Sequence, residues 1–250
     1  WQDCAPSVTL RANLQGAFDA TNNQMRDDLR VASLIPATEP YTSLGFTQVG
    51  GGGETVLPAT LAVTGKNAVV DWVLVELRNK NTPTTIVATR CALLQRDGDI
   101  VGTNGSSQIQ FNVPVDNYYV SVRHRNHQGV MIASSVSLSA TPATIDFTSP
   151  ASATFGTSAR TTVNIGRMAL WCGNVQRDGL LKYVGANNDR DPILTLIGST
   201  LPNNVVTGYQ QADVTLDGKV KYTGIDNDRD PIILNIGGTT PNNTRSEQLP

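Results

Sequence analysis

The sequence is poor in charge. Only 16% of its 250 residues are Asp, Glu, Lys or Arg, and 19 basic against 21 acidic residues leave a formal net charge of −2. A surface that holds nucleic acid through bulk charge needs a clear basic excess, so that class of partner is excluded. Long apolar runs are missing too. None approaches the roughly 18 residues that a membrane-crossing helix requires, so no membrane span is expected. Cysteine is scarce: Cys4, Cys91 and Cys172 lie far apart, with nothing of a zinc-ligand spacing. They allow one internal disulfide in any of three pairings, and an exported chain is expected to form one. The chain begins at Trp1 without an apolar leader, which reads as a processed chain.

Catalytic motifs are equally thin. The two histidines, His124 and His127, sit together in RHRNHQG with no third ligand near them, and a hairpin tip is the expected setting. Neither G-x-S-x-G nor H-E-x-x-H occurs. Asp71 and Glu76 fall on opposite faces of one expected strand, unsuited to act as a glycosidase pair. Asp97 and Asp99 flank a turn glycine. The expectation is a protein that is not an enzyme.

What is present favours strands and turns: abundant Thr, Val, Asn, Gly and Ser. Residues 7–15 alternate Val8, Leu10, Ala12 and Leu14 with polar neighbours, a half-buried strand. An irregular stretch follows, ending in the run Gly50 to Gly53, which reads as a loop or linker. From about residue 55 strand signals recur at 69–78, 84–95, 109–115, 118–125 and 130–139, separated by Asn/Asp/Gly turns. That spacing predicts an antiparallel β-sandwich of jelly-roll or immunoglobulin-like type. Three regions are expected: 1–54, an N-terminal strand and irregular segment that either joins the sandwich or serves as an assembly arm; 55–168, the sandwich; and 169–250, a small module with short helices.

The last region is an internal repeat, about 172–210 and 211–250. Residues 174–204 match 213–243 without a gap, identical at 18 of 31 positions. In the second copy Asp213, Thr215 and Asp217 stand at positions 1, 3 and 5 of a loop, with Gly218 at 6 and Lys219 at 7. Oxygen donors on alternate residues before a turn glycine make the front half of a calcium loop, in which position 7 gives only its carbonyl. Asp226, Asp228 and Asp230 are candidates to close the shell. The first copy offers Asn174, Gln176, Asp178, Leu180, Asn187, Asp189 and Asp191, with less charge and so weaker binding. Asp191-Pro192 and Asp230-Pro231 also read as helix starts, with Asp as N-cap, and Gly198 and Gly237 as C-terminal stops. Two Ca2+ ions, one per repeat, are expected.

These loops, each followed by a short apolar helix, resemble dockerin modules. The VKYTG…NDRDPI repeat, the tail Ser246-Glu247-Gln248-Leu249-Pro250, and the segments 35–46, 69–78, 92–101 and 118–131 resemble secreted haemagglutinin-like surface proteins of Bacteroidetes. The resemblance implies a secreted, extracellular or cell-surface protein with a structural or adhesive role. Self-assembly into a filament is one form of that role, with residues 7–15 completing a neighbour's sheet. The alternative is a lectin-like or dockerin-like binding module for a surface glycan or protein, for which Trp72, Tyr118, Tyr119 and Trp171 are the available aromatics.

Overall fold

The computed structural model describes residues 5–105 and 108–250. Its strands are β1 (Ser7–Arg11), β2 (Phe18–Asp19), β3 (Gln24–Met25), β4 (Val69–Asn79), β5 (Ile86–Gln95), β6 (Asp99–Val101), β7 (Ile109–Gln110), β8 (Asp116–Arg123), β9 (Val130–Met131), β10 (Val136–Leu138), β11 (Ala143–Asp146), β12 (Arg160–Asn164) and β13 (Arg167–Leu170). The repeats add β14 (Leu180–Lys182), β15 (Val205–Thr207), β16 (Lys219–Lys221) and β17 (Thr244–Ser246). One-turn helices α1 (Asp28–Val31) and α2 (Pro58–Leu61) precede β4, and α3 (Arg190–Leu196) and α4 (Asp230–Asn235) belong to the repeats.

The protein is mainly β, built on one large, mostly antiparallel sheet. Its path runs β10-β8-β4-β5-β6-β1-β11, with β7 beside β1 and β9 beside β8. The two outermost strands, β10 and β11, come into contact, so the sheet curls round on itself. β4 is the centre of this arrangement: Val69 through Arg78 are all buried, on both faces of the strand. One face meets the sheet's own core. Over the other lies the irregular segment, where Leu29, Ile35, Tyr41 and Val56 join the same core. The Tyr41 hydroxyl donates to the Trp72 carbonyl at 2.7 Å, and the Trp72 indole donates to the Pro36 carbonyl at 2.9 Å. The glycine run is seated on the sheet rather than linking units. The backbone of Val49 exchanges hydrogen bonds with Thr89 of β5, and a side chain at Gly51 would collide with the Thr89 carbonyl.

Residues 7–15 are a strand of the protein's own sheet, not a free arm. β1 lies parallel to β11, with Val8 opposite Ala143, and antiparallel to β6 and β7 on its other edge. Val8, Leu10, Ala12 and Leu14 are fully buried. The periodicity identified the strand correctly; its neighbours come from 88 or more residues downstream, which no local pattern reveals. The expected strand at 109–115 shrinks to two residues, and 130–139 splits into β9 and β10. Cys91 and Cys172 are both free, buried thiols rather than disulfide partners, and Cys4 lies outside the described residues.

The two repeats exchange strands. The trailing strand of the first, β15, pairs with β16 of the second, and the trailing strand of the second, β17, pairs with β14 of the first. The two units thus close on each other around one small core of Val175, Ile193, Val214, Val220 and Ile232. The helix ends follow the sequence closely. Gly198 and Gly237 take positive φ, and Ser199 N–H and Gly238 N–H reach back to the carbonyls of Leu194 and Ile233 at 2.8 Å, the bond that closes a Schellman motif. The starts differ from expectation. Asp191 and Asp230 lie within the first helical turn, and the capping acceptors are Asn188 and Asn227, which receive Asp191 N–H and Asp230 N–H at 2.9 Å. Each asparagine donates back to the aspartate carboxylate, a reciprocal pair like a capping box.

Because β1 is flanked on both edges and residues 7–15 bring four buried apolar side chains, a chain lacking residues 1–15 should not fold. Circular dichroism and a cooperative melt test this. A deletion that keeps the native melt would mean that β1 is dispensable.

Candidate functional site

The second repeat folds residues 213–218 into a tight loop, with Leu216 and Gly218 at φ of 57° and 80°. Asp213 is fully buried; its carboxylate accepts Asp217 N–H at 3.1 Å and Gly218 N–H at 2.9 Å. Asp228, also fully buried, reaches in from the start of the following helix. Its Oδ1 accepts Val214 N–H and Thr215 N–H at 2.7 and 3.0 Å, and its Oδ2 accepts Lys221 N–H at 2.8 Å. The Thr215 hydroxyl lies between the two acids, 3.2 Å from Asp228 Oδ1 and 3.5 Å from Asp213 Oδ1. Asp217 accepts Lys219 N–H at the loop's outer edge. Lys219 itself points to solvent, which leaves only its backbone to serve the loop.

The electrostatics of this arrangement are unfavourable as they stand. Burial raises the Asp228 carboxyl to about 7, helped by the charge of Asp213. Burial likewise raises Asp213 to about 6, against a partial offset from Arg125. Among the described residues no lysine, arginine or histidine is in ion-pair contact with either carboxylate. Buried carboxylates without a countercharge are the situation a bound dication resolves.

The first repeat copies the frame with weaker donors. Asp189 is fully buried, accepts Gln176 N–H and Lys182 N–H at 2.9 Å, and is raised to about 7 by burial and, less, by Asp178. Asn174 replaces Asp213. It is only 3% exposed, yet its Oδ1 has no hydrogen-bond partner. A buried amide oxygen without a donor is costly, and an ion is one way to satisfy it. Gln176 and Asp178 are exposed, and Asp178 accepts the N–H of Leu180, the first residue of β14.

The structure therefore brings Thr215 between the buried Asp213 and Asp228, sets Asn174 and Asp189 at the matching places of the first repeat, and leaves Asp217 and Asp178 at the loops' outer edges, so that the Asp213, Asp217 and Asp228 carboxylates do not all come within 4.8 Å of one another. It sets four predicted ligands apart. Asn187 and Asp226 occupy exposed turn tips at positive φ. Asp191 and Asp230 are held by Asn188 and Asn227 and paired with Arg190 and Arg229. Their closeness to the loops in sequence is spent on the turn and helix that follow.

Sequence reading also missed two buried polar clusters. One joins the sheet to the repeats. His124, Arg125, Asn126 and His127 are buried at this junction, not at an exposed hairpin tip. Asp71 Oδ2 accepts from Arg125 Nε at 3.0 Å and lies 3.1 Å from His124 Nε2, and Asp71 Oδ1 accepts the Tyr209 hydroxyl at 2.6 Å. Burial alone would raise the Asp71 carboxyl, but Arg125 above all, with His124 and Tyr209, holds it at about 2. Asn126 touches both loops: its carbonyl accepts Gly173 N–H and Asn174 N–H at 3.0 Å, and its side chain donates to the carbonyls of Gln211 and Asp213. The other cluster is Glu39, Glu54 and Cys91, under the glycine loop. It is the one group of three His, Cys, Asp or Glu side chains among the described residues whose ligand atoms lie within 4.8 Å of one another. An Asp among apolar neighbours at the start of a buried strand was the available signal for the first cluster; the second had none.

Removing one member of a buried pair leaves the other charge stranded. Asp71→Asn should therefore cost about 3–5 kcal/mol, read as a lower urea midpoint. A loss below about 1 kcal/mol would show that Arg125 finds another partner.

Compared with protein-family models, with curated proteins and with solved structures, the chain matches none.

Proposed function

We propose that the two repeat loops bind calcium and that the chain is a calcium-stabilised structural or adhesive module of a secreted or cell-surface protein, without catalytic activity. In this reading the curled sheet is a β-sandwich and the strand-exchanged repeats form a dockerin-like module. One observation carries it: the fully buried carboxylates of Asp213 and Asp228 repel each other with no lysine, arginine or histidine in ion-pair contact among the described residues, and at the matching place in the first repeat the buried oxygen of Asn174 has no donor among them. Loops with so few acids suit the weak end of calcium affinity, Kd about 10⁻⁴ to 10⁻³ M, which functions in the calcium-rich space outside cells. The non-catalytic reading is supported by the junction, where buried Asp71, His124 and Arg125 and half-buried Tyr209 are turned toward one another rather than toward a cleft.

Calcium present at about a hundredfold excess over its dissociation constant should add about 2.7 kcal/mol of stability. Excess chelator should correspondingly lower the melting temperature, and the same melt in calcium and in chelator would reject the reading. The effect should depend on pH. The raised carboxyls of Asp189, Asp213 and Asp228 keep their protons in the metal-free fold up to about 6 or 7, well above the range of an unfolded aspartate. Their contribution is favourable in acid and is lost as pH rises through those values. Calcium must displace the same protons. The difference in melting temperature with and without calcium should thus grow between pH 5 and pH 8; a difference that shrinks would contradict it.

The loops should also differ from each other. Asp217→Ala should weaken calcium binding more than Asp178→Ala, because the second loop carries the additional acid Asp213 and the hydroxyl of Thr215. Calorimetric titration of both variants decides the order.

A further inference from the structure

Two features of the surface stand out from the rest and are complementary. The first is a hollow of about 670 Å³ beside the second loop, lined by Arg26, Asp217, Ile225, Asp226, Pro231 and Leu234 among others. Ile225 is 85% exposed and Leu234 67% exposed, and the carboxylate of Asp226, at its rim, makes no hydrogen bond or ion pair among the described residues. The internal duplication supplies a control. At the corresponding positions the first repeat carries Ala186, Asn187 and Thr195. The same backbone is thus built elsewhere in the chain without the two large apolar groups and without the acid, so neither the loop nor the helix needs them.

The second feature is the tip of the β12–β13 hairpin. Ile165, at 96% exposure, is the most exposed of the large apolar side chains described. The tip is a two-residue turn, Ile165-Gly166, between paired Asn164 and Arg167, with Gly166 at φ 69°. Asn164 steadies it: its amide donates to the Ala20 carbonyl at 3.0 Å, and its own carboxamide oxygen accepts Ile165 N–H at 2.8 Å. Arg167 beside it has no acidic partner among the described residues; one guanidinium nitrogen donates to the Thr148 hydroxyl at 3.3 Å. The result is an aliphatic knob next to an unpaired cation, already held in shape.

We propose that the Ile165–Arg167 tip of one copy docks in the Ile225/Leu234 hollow of a second copy, with Arg167 facing Asp226. The proposal rests on the self-associating form of the structural role above, and it replaces residues 7–15 as the element that joins copies. Size and charge both favour it. An isoleucine side chain fits a hollow of this volume, its burial with Ile225 and Leu234 removes apolar surface from water, and the one unpaired acid at the rim meets an unpaired arginine. Knob and hollow are different patches, so a contact used once per copy is heterologous and leads to rings or filaments, whereas a reciprocal contact gives a two-fold dimer.

Sedimentation velocity on the full chain, in calcium and in chelator, at concentrations on the order of 100 µM tests it, since a micromolar complex is then mostly formed. The wild type should associate. Ile165→Asp, at an exposed tip, and the double variant Ile225→Ala/Leu234→Thr, which installs the residues of the first repeat, should each weaken association by about tenfold or more, the size expected from losing one buried aliphatic side chain. Mixing the two variants should restore a one-to-one complex, since one keeps its hollow and the other its knob. A wild type that stays monomeric in both buffers overturns the proposal, as does association undiminished in the variants; the hollow would then be free for a foreign basic segment. Association that persists in chelator while the melt ignores calcium would remove the calcium reading and leave this one standing.

Discussion

Arg125 is an arginine with almost no contact with water, and the relation between the sheet and the repeats depends on it. Its guanidinium bonds to Asp71 of the central strand, donates to the carbonyl of Gln210, and lies 4.3 Å from the centre of the Tyr209 ring. Taking such a group out of water costs several kcal/mol, and one of its nitrogens, Nη2, has no hydrogen-bond partner among the described residues. An apolar junction of equal volume would hold the two parts together at least as strongly. What the charged pair adds is position: Asp71 is fixed in β4, and Tyr209 and Gln210 must come to it. Asn126, the next residue, then fixes the first residues of both loops at once. The geometry of both repeat loops is therefore set from the sheet side as much as from within the repeats.

The strand exchange between repeats has a similar effect. Neither copy owns a complete two-stranded ladder; each lends its trailing strand to the other. A change in one loop is transmitted to the partner through β14 and β16, each of which follows directly on its loop glycine. The two loops should behave as one cooperative unit even though their donors differ. The tail extends the coupling. Glu247 N–H donates to the carbonyl of Gly179, the glycine of the first loop, and the Glu247 carboxylate accepts Gly129 N–H. A Cβ at Gly129 would lie 2.7 Å from the tip of the Leu249 side chain, which would have to move aside to admit it.

The parts of this structure that were legible in the sequence are those with local causes. Alternation marked β1, the apolar run marked β4, and glycine at C′ marked the ends of α3 and α4. The duplication was legible because identity at a fixed offset needs no structure to be seen. Spacing along the chain sets the geometry of the first half of each loop; in the second half Asp226, Asp228 and Asp230 look alike in sequence, and only the turn and helix around them decide that Asp228 is the buried one. The junction was misread for a related reason. RHRNHQG has the composition of a turn on water, and nothing nearby in sequence announces that residues from 209 to 213 will cover it. The β12–β13 hairpin, short and Thr-rich, gave no signal above its surroundings.

The pairing scheme also has a consequence in time. A chain made from its N-terminus presents β1 long before β11 exists, since Val8 waits for Ala143, and β14 waits for the strand that ends at Ser246. The sheet is thus completed by a segment made more than 130 residues after β1, and the first repeat by one made more than 60 residues after β14, so these two strand edges must stay open while the intervening chain is synthesised.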